Sequence, residues 1–173
     1  VMAMEILEQM PGAAGGPPTH LFVQGGVGGL AASLVGHFWG KLGAKAPVVV
    51  VVEPERADCL FQSGLKGEPA PATGDLDTLM AGLACGEVSR VAWPILRDGV
   101  DAFMTISDGS AVEMMRALAS GALGAPPIIA GESAVAGLAG LLALTPRSSD
   151  WRDLGLNESS RVLCIGTEGA TDP

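Results

Sequence analysis

Four glycines in five positions, Gly25-Gly26-Val27-Gly28-Gly29, lie between an apolar run, Leu21-Phe22-Val23, and an alanine- and leucine-rich segment, Leu30 to Leu34. Glycine permits tight turns and lets backbone N–H groups come close to a ligand. A helix that begins at such a loop adds unpaired N–H groups and the positive end of its dipole, which together make a cradle for a phosphate group. The same glycines also suit a tight packing turn, and the loop by itself does not separate the two readings. Two further stretches fall where elements end: Glu53 to Cys59, and Gly166 to Asp172 with a second glycine-rich turn, Gly166-Thr167-Glu168-Gly169.

Other chemistries fit less well. A nicotinamide fingerprint is half present, with Gly26, Gly28 and Glu53 in plausible places, but Ala31 stands where the third glycine belongs. A Walker-type phosphate loop lacks its Lys-Ser or Lys-Thr, and a Ser-His-Asp hydrolase lacks its G-x-S-x-G turn. His20 and His37 have no Cys or His at ligand spacing, so no zinc site is expected; His20 reads as a strand residue and His37 as a helix-surface residue. Cys59 and Cys85 each follow a motif-like stretch. They read either as buried free thiols near a site or as a facing pair able to form a disulfide; Cys164 reads as core.

These stretches need elements to position them. The chain has 173 residues, 48% hydrophobic and 17% charged, enough for one domain with a real core. A net charge of −9 and the lack of a basic patch argue against nucleic acid as a partner. They also require any phosphate to be held by backbone amides and a helix end, since the lysines are only Lys41, Lys45 and Lys66. No apolar run is long enough for a membrane-spanning helix, and no signal-peptide pattern is visible. The cysteine usage points to a reducing compartment, the cytoplasm.

The segments alternate. Val1 to Met10 reads as the end of an amphipathic helix, and the uncapped start at Val1 is expected of a chain cut from something larger. Pro11 to Pro18 reads as a connection, Thr19 to Val23 as a strand, and the segment after the glycine loop as a helix stopping near Gly40 or Gly43. The valines 48–52 read as a strand buried on both faces, with a helix expected from about Glu55. Lys66 to Gly74 reads as a loop and Leu76 to Gly86 as irregular. Val88 to Arg97 reads as a helix, Ala102 to Ile106 as a strand, and Gly109 to Ala119 as a helix capped by Ser107-Asp108. Ser133 to Leu144 is expected to be a buried helix, Trp151 to Leu154 a helical turn, and Arg161 to Ile165 the last strand. The pattern is α/β: a mostly parallel, twisted sheet with helices on both faces, where ligands sit at the carboxyl ends of strands.

Thr19–Gly29, Val51–Gln62, Asp75–Glu87, Ile129–Gly137 and Val162–Pro173 resemble the C-terminal half of the diaminopropionate ammonia-lyase family. That family belongs to the fold-type II, tryptophan synthase β-like pyridoxal-phosphate enzymes. The segments MAGLACGE and GTEGATDP are the specific ones, and the resemblance covers nearly the whole chain. It implies a pyridoxal 5'-phosphate lyase that takes 2,3-diaminopropionate to pyruvate and ammonia by α,β-elimination, with a small amino acid as substrate and a homodimer as the whole protein. Carried over, Gly25, Gly26, Val27, Gly28 and Gly29 would hold the cofactor phosphate. Thr167 would meet the pyridine nitrogen and leave it largely unprotonated, Gly82 within Met80-Ala81-Gly82-Leu83 would pass beside the ring, and Glu132 would lie near it.

Two departures qualify the resemblance. Relatives with a divalent cation site use a Glu, a carbonyl four residues on and an Asp two further; here Glu53 and Ala57 match, but Cys59 replaces the Asp, so no metal site is expected. The family's Schiff-base lysine belongs to a Ser-x-Lys segment, and none of Lys41, Lys45 and Lys66 has that context. The expectation is therefore a single α/β region, residues 1–173, that cradles the cofactor phosphate, carries no catalytic residue of its own and is inactive alone. A Cys59–Cys85 disulfide, if formed, would restrain access to the site. The alternatives are a serine/threonine dehydratase-like enzyme and a non-catalytic module that binds a phosphorylated small molecule.

Overall fold

Strand β1 (His20–Gln24) lies at the centre of the molecule because every one of its residues is buried. The computed structural model describes residues 1–13, 16–144 and 148–170 of the chain. Within it, β1 pairs in parallel with β2 (Val48–Pro54) on one side and with β4 (Val162–Cys164) on the other. Strand β3 (Ala102–Ile106) pairs in parallel with β2, giving the order β3-β2-β1-β4. The register sets His20 beside Val48 and Gln24 beside Val52.

The apolar strands serve two cores at once, because successive side chains point to opposite faces. Leu21, Val23, Val49 and Val51 pack on one face with Leu34, Phe38, Leu60, Trp93 and Leu96. These come from α2 (Gly29–Leu42), α3 (Cys59–Lys66) and α4 (Trp93–Gly99), while α1 (Met2–Ala13) adds Ala3. Phe22, Val50 and Val52 pack on the other face with Ala111 and Met114 of α5 (Asp108–Ser120) and Ala136 and Ala139 of α6 (Ala136–Ala143). The short α7 (Ser149–Asp153) precedes β4. Helix α6 approaches the sheet so closely that a Cβ at Gly137 would lie 2.6 Å from the Phe22 carbonyl oxygen. Its small residues are what allow an apolar helix to lie directly on strand backbone.

The α/β pattern with helices on both faces is thus the observed one, and several boundaries move for physical reasons. Helix α1 continues past Pro11 to Ala13, while residues 14 and 15 of the expected connection lie outside the described residues. Strand β1 is displaced by one residue toward Gln24, and β4 is shorter than expected. Pro54 ends β2 instead of opening a helix, and α3 begins only at Cys59. There the Glu53 carboxylate accepts the N–H groups of Leu60 and Phe61, at 3.1 and 2.8 Å, so the helix starts where its free donors are met. Helix α4 is confined to Trp93–Gly99, with Pro94 in its first turn. The segment before it is tied elsewhere, Ser89 N–H donating to the Val27 carbonyl at 2.9 Å. Helix α6 starts at Ala136 rather than Ser133, because Glu168 takes the Gly131 and Ser133 N–H groups outside the helix. Ser107 caps α5 as expected, accepting from Ser110 N–H. Among the described residues no helix is long and apolar enough to cross a membrane.

Candidate active site at the strand carboxyl ends

The glycine loop forms because β1 must turn sharply into α2. Gly25 N–H makes the last ladder bond, to Val52 O at 2.9 Å. Gly26 and Gly28 then adopt left-handed φ values of 63° and 93°, conformations that side chains other than glycine strain to reach. Gly28 caps α2, and Ala32 N–H closes the first helical bond onto its carbonyl at 2.9 Å. The N–H groups of Gly29, Leu30 and Ala31 therefore lie in the first turn with no acceptor inside the helix. The loop and the helix start thus both present backbone N–H groups.

Over the loop lies a cleft of about 390 Å³ lined by Gln24, Gly25, Gly26, Val27, Gly29 and Leu30 on one side and by Gly82, Leu83, Cys85, Ser133, Thr167 and Glu168 on the other. Side chains from different strand ends are joined across it. Gln24, buried at the end of β1, donates through Nε2 to the Thr167 hydroxyl oxygen at 3.0 Å. Gly82 N–H donates to Ser133 Oγ at 3.0 Å, and Ser133 N–H donates to Glu168 Oε2 at 2.8 Å. The turn that carries Gly82, Ala81–Leu83, is anchored further out: Leu79 N–H donates to Asp108 Oδ2 at 3.0 Å, and the Thr78 hydroxyl donates to Asp108 Oδ1. Arg56 pairs with Asp75 and, at 3.1 Å, with Asp77, holding the outer part of the same loop.

Glu53 lies beneath the loop, fully buried. Burial pushes its carboxyl up to about 7, against the pull of the Phe61 and Leu60 N–H groups and the Cys59 thiol; the charge of Asp58 adds to the rise. The Cys59 thiol donates to Gly26 O at 3.6 Å and to Glu53 Oε1 at 3.7 Å. Burial pushes that thiol up to about 12, helped by the neighbouring Glu53, so it is a protonated donor rather than a nucleophile. Burial likewise raises Cys85, and it takes Cys164 to about 12.

The structure brings Gly25, Gly26, Val27, Gly29, Gly82 and Thr167 to one cleft. Gly28 stands behind them as the helix cap, and Glu132 is not among the lining residues; its neighbour Ser133 is. Cys59 and Cys85 are both free thiols, so the disulfide is not formed: Cys59 is buried under the loop and Cys85 faces the cleft. The Glu53 carboxylate accepts the Leu60 and Phe61 N–H groups at the start of α3 and the thiol of Cys59. Of the expected loop 166–172, residues 171 and 172 lie outside the described residues. Sequence reasoning missed Gln24, Ser133 and Glu168. Gln24 was findable, since it shares the face of Phe22 in the strand alternation and stands directly before the glycines. A larger cavity, about 530 Å³, lies at the opposite ends of the strands beside Val48, Asp101 and Ala102; it is the smaller cleft that has the glycine-loop donors.

A parallel sheet with a donor-lined cleft over its carboxyl ends is the arrangement of an α/β domain whose ligands sit at the strand ends. The chain matches the family model of the pyridoxal-phosphate dependent enzymes over residues 1–167, and it belongs to that family. It is similar to the diaminopropionate ammonia-lyase of Salmonella typhimurium, with 41% identity over 179 residues covering 99% of this chain and 44% of that protein. Among solved structures it is similar to holo diaminopropionate ammonia lyase from Escherichia coli, with TM-score 0.87 and 38% identity over 99% of this chain and 43% of that one. A T.th. threonine deaminase gives TM-score 0.77 and 25% identity over 99% of this chain and 52% of that one. The chain thus spans less than half the length of the curated relative it matches here.

Proposed function

We propose that this chain is the cofactor-cradling part of a pyridoxal-phosphate lyase that eliminates the β-amino group of 2,3-diaminopropionate, giving pyruvate and ammonia. The observation that carries the reading is the cleft itself, with the glycine loop and the first turn of α2 at one wall and Thr167 at the other. The residues fit the cofactor. The phosphate would lie against the N–H groups of Gly26, Val27, Gly29 and Leu30, where the helix dipole favours an anion without any Lys or Arg in the lining. Thr167 would meet the pyridine nitrogen, and Gly82, lacking a side chain, would leave room beside the ring. When bound, the cofactor supplies an electron sink for the carbon from which the α-proton leaves.

The chain's own residues bind and orient, and the covalent attachment must come from elsewhere. Lys41 is twelve positions beyond the helix start at Gly29, about 18 Å along the axis. Lys45 follows it, and Lys66 ends α3, about 10 Å from Cys59 along that helix. All three are exposed and none lines the cleft. We read this chain as inactive alone, the attaching lysine and the proton-transferring groups belonging to a further segment of a whole protein that works in the cytoplasm as a homodimer. The likeness to threonine deaminase favours, as a second reading, a hydroxyl rather than an amino leaving group.

Assays of the whole protein with 2,3-diaminopropionate, serine and threonine test the substrate. Ammonia and pyruvate released preferentially from 2,3-diaminopropionate are expected; turnover of serine or threonine alone would move the assignment to the dehydratases.

A further inference from the structure

Thr167 is exposed at the cleft, and its hydroxyl carries one proton and two lone pairs. The hydrogen bond that reaches it comes from Gln24 Nε2, at 3.0 Å. Gln24 is 4% exposed, held at the end of β1 by the ladder to Val52, so the donor approaches from the fixed side, from beneath the cleft. Its other amide atom, Oε1, is buried with no partner among the described residues. A buried amide that leaves one of its own atoms unpaired bears a cost. Here the bond kept is the one to the hydroxyl.

That bond has a direction. With Gln24 N–H on the oxygen of Thr167, the hydroxyl proton cannot point toward Gln24 without facing another donor. The proton is left to the two remaining directions, away from the strand. Accepting a hydrogen bond also polarises a hydroxyl, making it a stronger donor and a weaker acceptor.

We propose that Gln24 is a positioning residue, whose side-chain N–H holds the Thr167 hydroxyl as a donor toward the cleft. The proposal rests on the reading of the cleft as the seat of pyridoxal phosphate, in which Thr167 meets the pyridine nitrogen. A hydroxyl primed to donate favours a nitrogen with a free lone pair. A hydroxyl free to turn would also accept from a protonated one. Gln24 therefore acts on the ring's protonation through Thr167, without touching the cofactor.

The test is ¹⁵N NMR of the whole protein loaded with ring-¹⁵N pyridoxal phosphate, titrated with pH. In the unaltered protein the nitrogen is expected to be unprotonated at neutral pH. In Gln24→Met, which keeps the side-chain length and removes the donor, the nitrogen's titration shifts to higher pH. In Thr167→Val the same Gln24→Met change has no further effect, because the hydroxyl it acted on is gone. A merely structural role would not produce this coupling. A protonated nitrogen in the unaltered protein at neutral pH, or a Gln24→Met titration that overlays it, would overturn the role of Gln24. Failure of the protein to bind pyridoxal phosphate would overturn the reading beneath it, and would be seen separately as the absence of a bound ¹⁵N signal. The unaltered protein alone decides the first point should Gln24→Met not fold.

Discussion

Glu53 packs directly against Gly25: a Cβ added at Gly25 would come within 2.6 Å of Glu53 Cγ. The carboxylate that starts α3 and the loop that starts α2 therefore share one contact. Neither neighbour is free to yield, since Gly25 N–H is fixed to Val52 O and Glu53 to Leu60 and Phe61. Gly25→Ala is expected to cost about 1–3 kcal/mol of overpacking. Part of it should appear as weaker pyridoxal-phosphate binding, read in a fluorescence titration, and part as a lower thermal midpoint.

The same carboxyl makes stability depend on pH. Its folded-state value, about 7, lies above the ordinary 4.5, so between these values the folded chain binds more protons than the unfolded one. Stability is then fully present below about 4.5 and is lost as pH rises through about 7, by up to about 3 kcal/mol. Denaturant titrations at pH 5 and pH 8 should show this slope. Glu53→Gln should flatten it while keeping most of the side-chain packing. An unchanged slope in that variant would assign the effect to another group.

Helix α6 gives a second packing test. Gly137 faces the Phe22 backbone and Gly140 faces Val52, where a Cβ would lie 2.7 Å from Cγ2. Gly137→Ala meets backbone, which cannot swing away, and Gly140→Ala meets a side chain. Gly137→Ala should be the more destabilising, by about 1–3 kcal/mol, despite alanine's better helix propensity. Chemical denaturation of the two variants compares them directly.

The sequence made the sheet legible because its strands are short runs built on apolar residues, with β2 a run of valines and β1 stopping at the glycine loop. The valines 48–52, Ala102–Ile106 and the glycine loop are read from local signals alone. Element starts that depend on distant side chains are not. Helix α3 begins at Cys59 because of Glu53, and α6 begins at Ala136 because of Glu168, which comes from beyond the next strand. The site divides in the same way. Gly25–Gly29 announced itself, and Gly82 and Thr167 came with the resemblance. Glu168 stands beside Thr167, but its tie to Ser133 is a hydrogen bond spanning 35 positions, which no spacing rule exposes.

Asp108 ties one wall of the cleft to the start of α5. It accepts from both Thr78 and Leu79, fixing the loop that carries Gly82. Asp108→Ala should leave α5 capped by Ser107 while loosening residues 78–83. Amide hydrogen exchange is expected to quicken at Leu79, Gly82 and Leu83 and to stay slow in β1 and β2. Uniform quickening would mean that the variant had lost the fold instead of one anchor.

The most direct test of the cradle compares pyridoxal phosphate with pyridoxal, which lacks only the phosphate, by equilibrium dialysis against this chain. Backbone donors and a helix start aimed at an anion should favour the phosphorylated form on the order of 100-fold, which corresponds to about 2.7 kcal/mol. Borohydride treatment should fix no cofactor on Lys41, Lys45 or Lys66. Equal binding of the two compounds, or a cofactor reduced onto one of those lysines, would contradict the account.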